Sequence, residues 1–232
     1  MKKIKDILQA NSNLNIKVPF SELLREDETI FLEQHTHSVT FKDKEVIIRQ
    51  GTPVSHIMYV KSGYTKIYKE GRHDNFIILK IESEGNFLGL LSVFANNTHK
   101  YSVSSIATSE IGFIDVEAFN EIILKNGKFA QKLIMCLSNY GLFIFERLIS
   151  QSHKQLPGRI ADVLLYFSED IYKSTTFDFP FTRKELAELA GTTKESFIRT
   201  LTEFKNDKII NIDGSHVEIV SMENVKMLSK LG

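Results

Sequence analysis

Apolar positions along the chain fall into three successive textures. From about Val39 to Asp115 they come in short runs, some strictly alternating, as in Tyr64-Thr65-Lys66-Ile67-Tyr68-Lys69 and Tyr101-Ser102-Val103-Ser104. Gly51, Gly63, Gly71, Gly85 and Gly89 punctuate these runs. Many short strands at roughly 8–12-residue spacing predict a β-barrel or sandwich. Gly71-Arg72-His73-Asp74-Asn75 has the residue types of a hairpin tip.

From about Val116 to Lys154 the period becomes helical. Leu133, Leu137, Tyr140, Ile144 and Leu148 recur at three- and four-residue steps, while Phe129, Ile134, Phe143 and Phe145 lie off that stripe. A helix apolar on more than one face needs covering on more than one side. About 25 residues at about 1.5 Å each reach nearly 40 Å, longer than a small barrel needs as a lid. One face is therefore expected on the barrel and the other on a second copy, with the Leu133–Leu148 stripe as the dimer interface. Pro157 and Gly158 interrupt the pattern, and proline suits the first turn of a following helix. This places a hinge at about 152–158. The units are then 1–126 (N-terminal helix and barrel), 127–154 (dimerisation helix) and 155–232.

The third texture contains the most informative stretch. Thr182 and Glu185 form a capping box for a short helix that ends before Gly191. Thr193 can cap a second helix whose Phe197, Leu201 and Phe204 share an apolar face, met by Leu186, Ala187 and Leu189 of the first. Two short helices across a glycine turn have helix-turn-helix geometry. Ile209–Ile212, the turn Asp213-Gly214, and His216–Val220 then make a hairpin, a winged variant. Lys194, Glu195, Ser196 and Arg199 stand at or near the start of the second helix. Arginine can grip guanine with two bonds, glutamate can accept from cytosine, and hydroxyls at helix starts can hold phosphates. Thr182, Thr192 and Ser196 are candidate phosphate anchors, and Thr193 is a further candidate position at the DNA. The spacing of Glu195 and Arg199 also suits an ordinary surface ion pair.

Charge narrows the partners. Lys+Arg and Asp+Glu both number 29, which excludes a large sequence-blind attraction to nucleic acid or membrane. Residues 155–232 carry 10 basic and 12 acidic side chains, so DNA binding there must come from local placement of a few charges. The single cysteine, Cys136, excludes a disulfide framework and a multi-thiolate cluster, and fits a reducing cytoplasm. It reads as a small buried hydrophobe, with pairing across a two-fold axis or oxidant sensing as the alternatives. No run of 18 apolar residues occurs, and Asp6, Gln9 and Asn11 break any signal-like core at the start. His35, His37, His73 and His99 lack a second ligand at metal-binding spacing, so no metal is expected. No catalytic motif stands out, and an enzyme with an appended barrel would need residues the chain does not have to spare.

Together these segments resemble a Crp/Fnr-family transcription regulator, over nearly everything after the first ~25 residues. The stretch RQGTPVSHIMYVKSGYTKIYKEG resembles the glycine-punctuated cyclic-nucleotide-binding β-roll, and TRKELAELAGTTKESFIRTLTEF the family's helix-turn-helix. The resemblance implies an α+β chain: an N-terminal β-roll (jelly roll), a long dimerisation helix and a C-terminal winged helix-turn-helix. It places base reading at Lys194, Glu195 and Arg199, and an effector pocket around Phe87, Gly89, Leu90, Leu91, Lys100 and Tyr101. In cyclic-AMP-binding members that loop supplies a glutamate for the ribose and an arginine–serine pair for the phosphate. Here Leu90 and Lys100-Tyr101 stand at those positions, and leucine cannot accept a ribose hydroxyl. The effector implied is therefore a small molecule other than cyclic AMP, with no cofactor. The function implied is a cytoplasmic homodimer acting on a pseudo-palindromic duplex, with RNA polymerase as a further partner. The alternative is a metabolite-sensing module that acts through a protein partner.

Overall fold

In a computed structural model, residues 20–71 and 76–232 are described; the expected hairpin tip at 72–75 and the lysine-rich start lie outside them. Two short helices, α1 (Phe20–Leu23) and α2 (Glu26–Gln34), lead into eight strands. These are β1 (Thr36–Phe41), β2 (Val46–Ile48), β3 (His56–Ser62), β4 (Tyr64–Glu70), β5 (Phe76–Ser83), β6 (Phe87–Leu88), β7 (Ser102–Ser105) and β8 (Ser109–Asp115). One turn of helix, α3 (Leu90–Val93), sits between β6 and β7. The strands form two antiparallel four-stranded sheets, ordered β1-β8-β3-β6 and β2-β7-β4-β5. Ile48, Val60, Ile67, Val103 and Ile111 fill the space between them. This is the β-roll that the alternating pattern predicts.

The link from β3 to β4 is a single residue. Gly63 takes φ +89°, and a Cβ there would stand 2.8 Å from the Cα of Ser109. The Ser109 hydroxyl in turn donates to the Tyr64 carbonyl at 3.1 Å. Glycine is required both by handedness and by space.

Helix α4 (Val116–Lys125) closes the barrel with Ala118, Phe119 and Ile122, and α5 (Gly127–His153) follows after a one-residue break. Asn126 makes that break: its Oδ1 accepts from the Phe129 N–H at 3.0 Å, while Nδ2 donates to Glu28 at 2.7 Å and to the Leu23 carbonyl at 2.9 Å. The first turns of α5 are thereby set into the β-roll core through Phe129 and Leu133. By length and composition α5 could cross a bilayer; in this fold it is the strut between two domains.

Past Lys154 the chain enters α6 (Leu156–Leu165), with proline in its first turn, then a six-residue π-helical stretch, Tyr166–Ile171. The joint is braced by Asp162, whose carboxylate accepts from Lys154 at 2.7 Å, Ser150 at 2.5 Å and Ser229 at 2.6 Å. The helix-turn-helix is α7 (Arg183–Leu189) and α8 (Lys194–Asn206). The wing is β10 (Ile210–Asp213) and β11 (His216–Ile219), joined by β9 (Thr176–Asp178) into a three-stranded sheet; α9 (Met222–Leu231) closes the chain. Strand β9, helix α9 and the π-helical stretch were not anticipated, because each is short and its apolar residues make sense only against partners distant in sequence.

Replacing Gly63 by alanine should lower unfolding stability by about 1–3 kcal/mol, since a left-handed backbone and a blocked Cβ site act together. Urea unfolding of the variant against wild type reads this; an unchanged midpoint would show that the β3–β4 link is not so constrained.

Candidate functional site

The helix-turn-helix is built as its residue types dictate. The Thr182 hydroxyl accepts from the Glu185 N–H at 3.3 Å and the Glu185 carboxylate from the Thr182 N–H at 2.9 Å, a closed capping box. Gly191, at φ +64°, turns the chain after α7. The Thr193 hydroxyl then caps α8 by accepting from the Ser196 N–H at 3.2 Å. Phe197, Thr200, Leu201 and Phe204 are buried against Leu186, Ala187 and Leu189. Burial of that face leaves Lys194, Glu195 and Arg199 exposed on the opposite side. Among the described residues no ion pair joins Glu195 to Arg199, so both heads stand free. Thr182 and Thr193 are exposed at the starts of α7 and α8, with Thr192 and Ser196 half-buried beside them. The seven positions expected to meet DNA thus lie at the starts of these two helices and in the turn between them. Arg183 ties the wing to this unit by donating to the Gly214 carbonyl.

The long helix departs from expectation. Leu133 is buried in the barrel core, Leu137 and Tyr140 pack on the β-roll, and Ile144 is half-buried. Of the expected dimer stripe only Leu148 is exposed, at 60%. The outward apolar face is instead Ile134, Met135, Leu142, Phe145, Leu148 and Ile149, stepping by three and four around Ser138. Both faces are apolar, and spacing alone does not say which one the protomer's own barrel covers. The burial of Phe129, set by the Asn126 cap, decides the rotation.

Between β5, α5 and the π-helical stretch lies a cavity of about 610 Å³. Four of the six residues expected around an effector line it: Phe87, Leu90, Leu91 and Tyr101. Gly89 and Lys100 do not, and Lys100 is exposed to solvent. Burial pushes the Tyr101 hydroxyl above the usual tyrosine range, as it does those of Tyr140 and Tyr166 in the same wall. Cys136 also lines the cavity, half-buried, with its thiol pushed up by burial. Among the described residues no group of three His, Cys, Asp or Glu could hold a metal.

Several residues that matter here escaped the sequence pattern. Glu82 is buried, accepts from Lys80 Nζ at 2.7 Å through Oε1, and leaves Oε2 buried without a hydrogen bond. Lys80 in turn sits over the rings of Tyr140, at 5.3 Å, and Phe143, at 5.8 Å. The Tyr166 hydroxyl accepts from the Ile81 N–H at 2.9 Å, pinning the winged domain to β5. Arg147 on α5 donates to the Leu189 carbonyl at 2.7 Å. Lys66 on β4 pairs with Glu185, the capping residue of α7. The one available signal was Lys80 and Glu82 at alternate positions of an apolar strand, which reads as a wet face until α5 is known to cover it.

The matches with known proteins follow the same division. Residues 38–126 match the cyclic nucleotide-binding domain family and residues 158–228 the Crp-like helix-turn-helix domain, together more than half of the chain. The chain belongs to the Crp/Fnr family. It is 21% identical over 189 residues to the cAMP-activated global transcriptional regulator CRP of Salmonella typhimurium, covering 80% of this chain and 90% of that one. It is 22% identical over 189 residues to electron transport regulator A of Shewanella oneidensis, covering 80% and 75%. FixK2 from Bradyrhizobium japonicum shares the fold at a TM-score of 0.76 and 16% identity, over 83% of this chain and 96% of that one. The c-di-GMP-responsive regulator CLP of Xanthomonas campestris shares it at 0.72 and 20%, over 84% and 99%. A family of transcription regulators with a helix-turn-helix makes this Crp/Fnr protein a DNA-binding regulator.

The burial of Glu82 has a pH signature. Desolvation outweighs Lys80 and raises its carboxyl above the usual glutamate value. The folded chain therefore holds a proton that the unfolded chain releases, so this group's contribution to stability falls as pH rises through that window. The stability of Glu82→Gln relative to wild type should therefore increase from pH 4 to pH 8 in thermal or urea unfolding. A difference that stays flat across this range would show Glu82 to titrate normally.

Proposed function

We propose that the protein is a homodimeric, sequence-specific regulator that sets α8 of each protomer into a major groove and is controlled by a small effector in the β-roll. The observation that carries the reading is the capped α7–Gly191–α8 unit with Lys194, Glu195 and Arg199 exposed and unpaired. Arg199 reads guanine, Glu195 accepts from cytosine, and Lys194 meets a base or phosphate. Thr182, Thr192, Thr193 and Ser196 anchor phosphates. The chain's neutral balance keeps non-specific affinity modest and the salt slope small, so specificity rests on these few contacts.

The exposed apolar face of α5 supports dimerisation. A continuous apolar strip on a 27-residue helix is costly in water, and a second copy of the same helix covers it with coiled-coil spacing. Two reading heads then address half-sites about 34 Å apart, one duplex turn. The exposure of Lys100 and the leucine at position 90 favour an effector other than cyclic AMP. RNA polymerase is the machinery on which such a regulator acts. A module working through a protein partner would bind no particular duplex.

Selection from a random duplex pool, with and without extract of the source cells, should recover a pseudo-palindrome. Arg199→Ala should bind it about tenfold or more weakly, at about 1–3 kcal/mol per lost bidentate contact, and relax one position in each half-site. Recovery of no shared palindrome would refute the reading. Phe145→Glu should turn a sedimenting dimer into a monomer with an unchanged fold by circular dichroism. A dimer that persists would place the interface elsewhere.

A further inference from the structure

We propose that the cavity beneath α5 takes a small organic cation: an amine whose ammonium is received by Glu82 and whose aromatic or apolar body fills the space beside Tyr140 and Phe143. The proposal rests on the reading of the β-roll as an effector domain and names the chemistry of its ligand.

The cavity, at about 610 Å³, has the size of a small-molecule site. Its ionisable walls lean acidic, with Glu82, Glu146, Glu169 and Asp170 against Lys80 and Lys173, although Glu169 is paired with Lys226 at 2.8 Å. Charge imbalance alone would be a solvated acidic patch; Glu82 supplies the specific feature. Its side chain is 4% exposed, Oε1 is taken by Lys80, and Oε2 is buried with no hydrogen-bond partner. A buried acceptor left without a hydrogen bond is costly, and a ligand N–H placed on it recovers that cost. Lys80 is the cation that could have welcomed an anion, but it is committed to Glu82 and to the faces of Tyr140 and Phe143. An ammonium on Oε2 favours the ionised form of Glu82 that burial alone disfavours, whereas a phosphate or carboxylate entering here would oppose that ionisation and find Lys80 already taken. Lys100, at the position where the resemblance implies a phosphate contact, is exposed and outside the cavity. The same rings that hold Lys80 can stack a second cation.

The test uses the full-length protein and matched indole probes: tryptamine (cationic), tryptophol (neutral) and indole-3-acetate (anionic), with cyclic AMP as a fourth ligand. Titrations followed by calorimetry and saturation-transfer NMR should show tryptamine binding at least tenfold more tightly than each of the other three. Glu82→Gln should remove that preference, and Glu146→Gln with Glu169→Gln should reduce it by only a few fold. Indole-3-acetate or cyclic AMP binding as tightly as tryptamine, no binding of tryptamine, or an undiminished preference in Glu82→Gln would overturn the proposal. If Glu82→Gln gives no cooperative melt, the wild-type ranking of the four ligands decides. The duplex selection is read separately: a palindrome without amine preference removes only the ligand class, and amine preference without a palindrome removes only the DNA reading.

Discussion

Strand β5 is where the two halves of the molecule become one. It is the edge of its sheet, and an edge strand leaves backbone donors and acceptors that must find partners. Here the partners come from the winged domain and the long helix. The Tyr166 hydroxyl both accepts from the Ile81 N–H at 2.9 Å and donates to the Ile81 carbonyl at 3.2 Å. Arg147 reaches the Ile78 carbonyl at 3.4 Å as well as the end of α7. The side chains of Ile78 and Ile81 belong to the same buried cluster as Ile160, Phe167, Phe181 and Leu186. A hydrophobic core that runs through a domain boundary transmits displacement, because close-packed interiors do not absorb it. The covalent hinge between Lys154 and Leu156 is braced too, by the bonds converging on Asp162, so it is not a free swivel.

This arrangement gives regulation a physical route. The cavity is walled by β5, α5 and the π-helical stretch, so anything that fills it touches the barrel, the long helix and the winged domain at once. A ligand shifts the molecule only by as much as it prefers one arrangement of these walls over another. The Lys66–Glu185 pair adds a second link: Glu185 caps α7 and also holds β4. The sheet is therefore tied directly to the first turn of the helix-turn-helix, one helix before α8. π-helical turns are uncommon and cluster at functional sites, and this one carries Tyr166, Glu169 and Asp170 into the cavity wall.

Much of the molecule was legible without coordinates wherever a local rule governs. Alternation placed the strands, Thr182 with Glu185 and Thr193 placed the caps, Gly191 and Gly214 placed the turns, and Pro157 placed the break after the strut. The outward direction of Lys194, Glu195 and Arg199 followed too, because Phe197, Leu201 and Phe204 leave an α-helix only one wet side. Each of these depends on residues within about four positions of one another, the range over which backbone geometry dictates contact.

The tertiary structure decided what no short-range rule reaches. On α5 two apolar faces compete, and only the docking of Phe129 and Leu133 in the barrel turns Ile134, Leu142 and Phe145 outward. On β5, Lys80 and Glu82 look like a solvent face until α5 closes over them, which makes a surface ion pair into a buried one with an unfilled acceptor. Position 100 looked suited to a phosphate by counting, yet its side chain lies outside the cavity. In each case the deciding quantity is burial by a segment tens of residues away, and burial is a property of the packed whole.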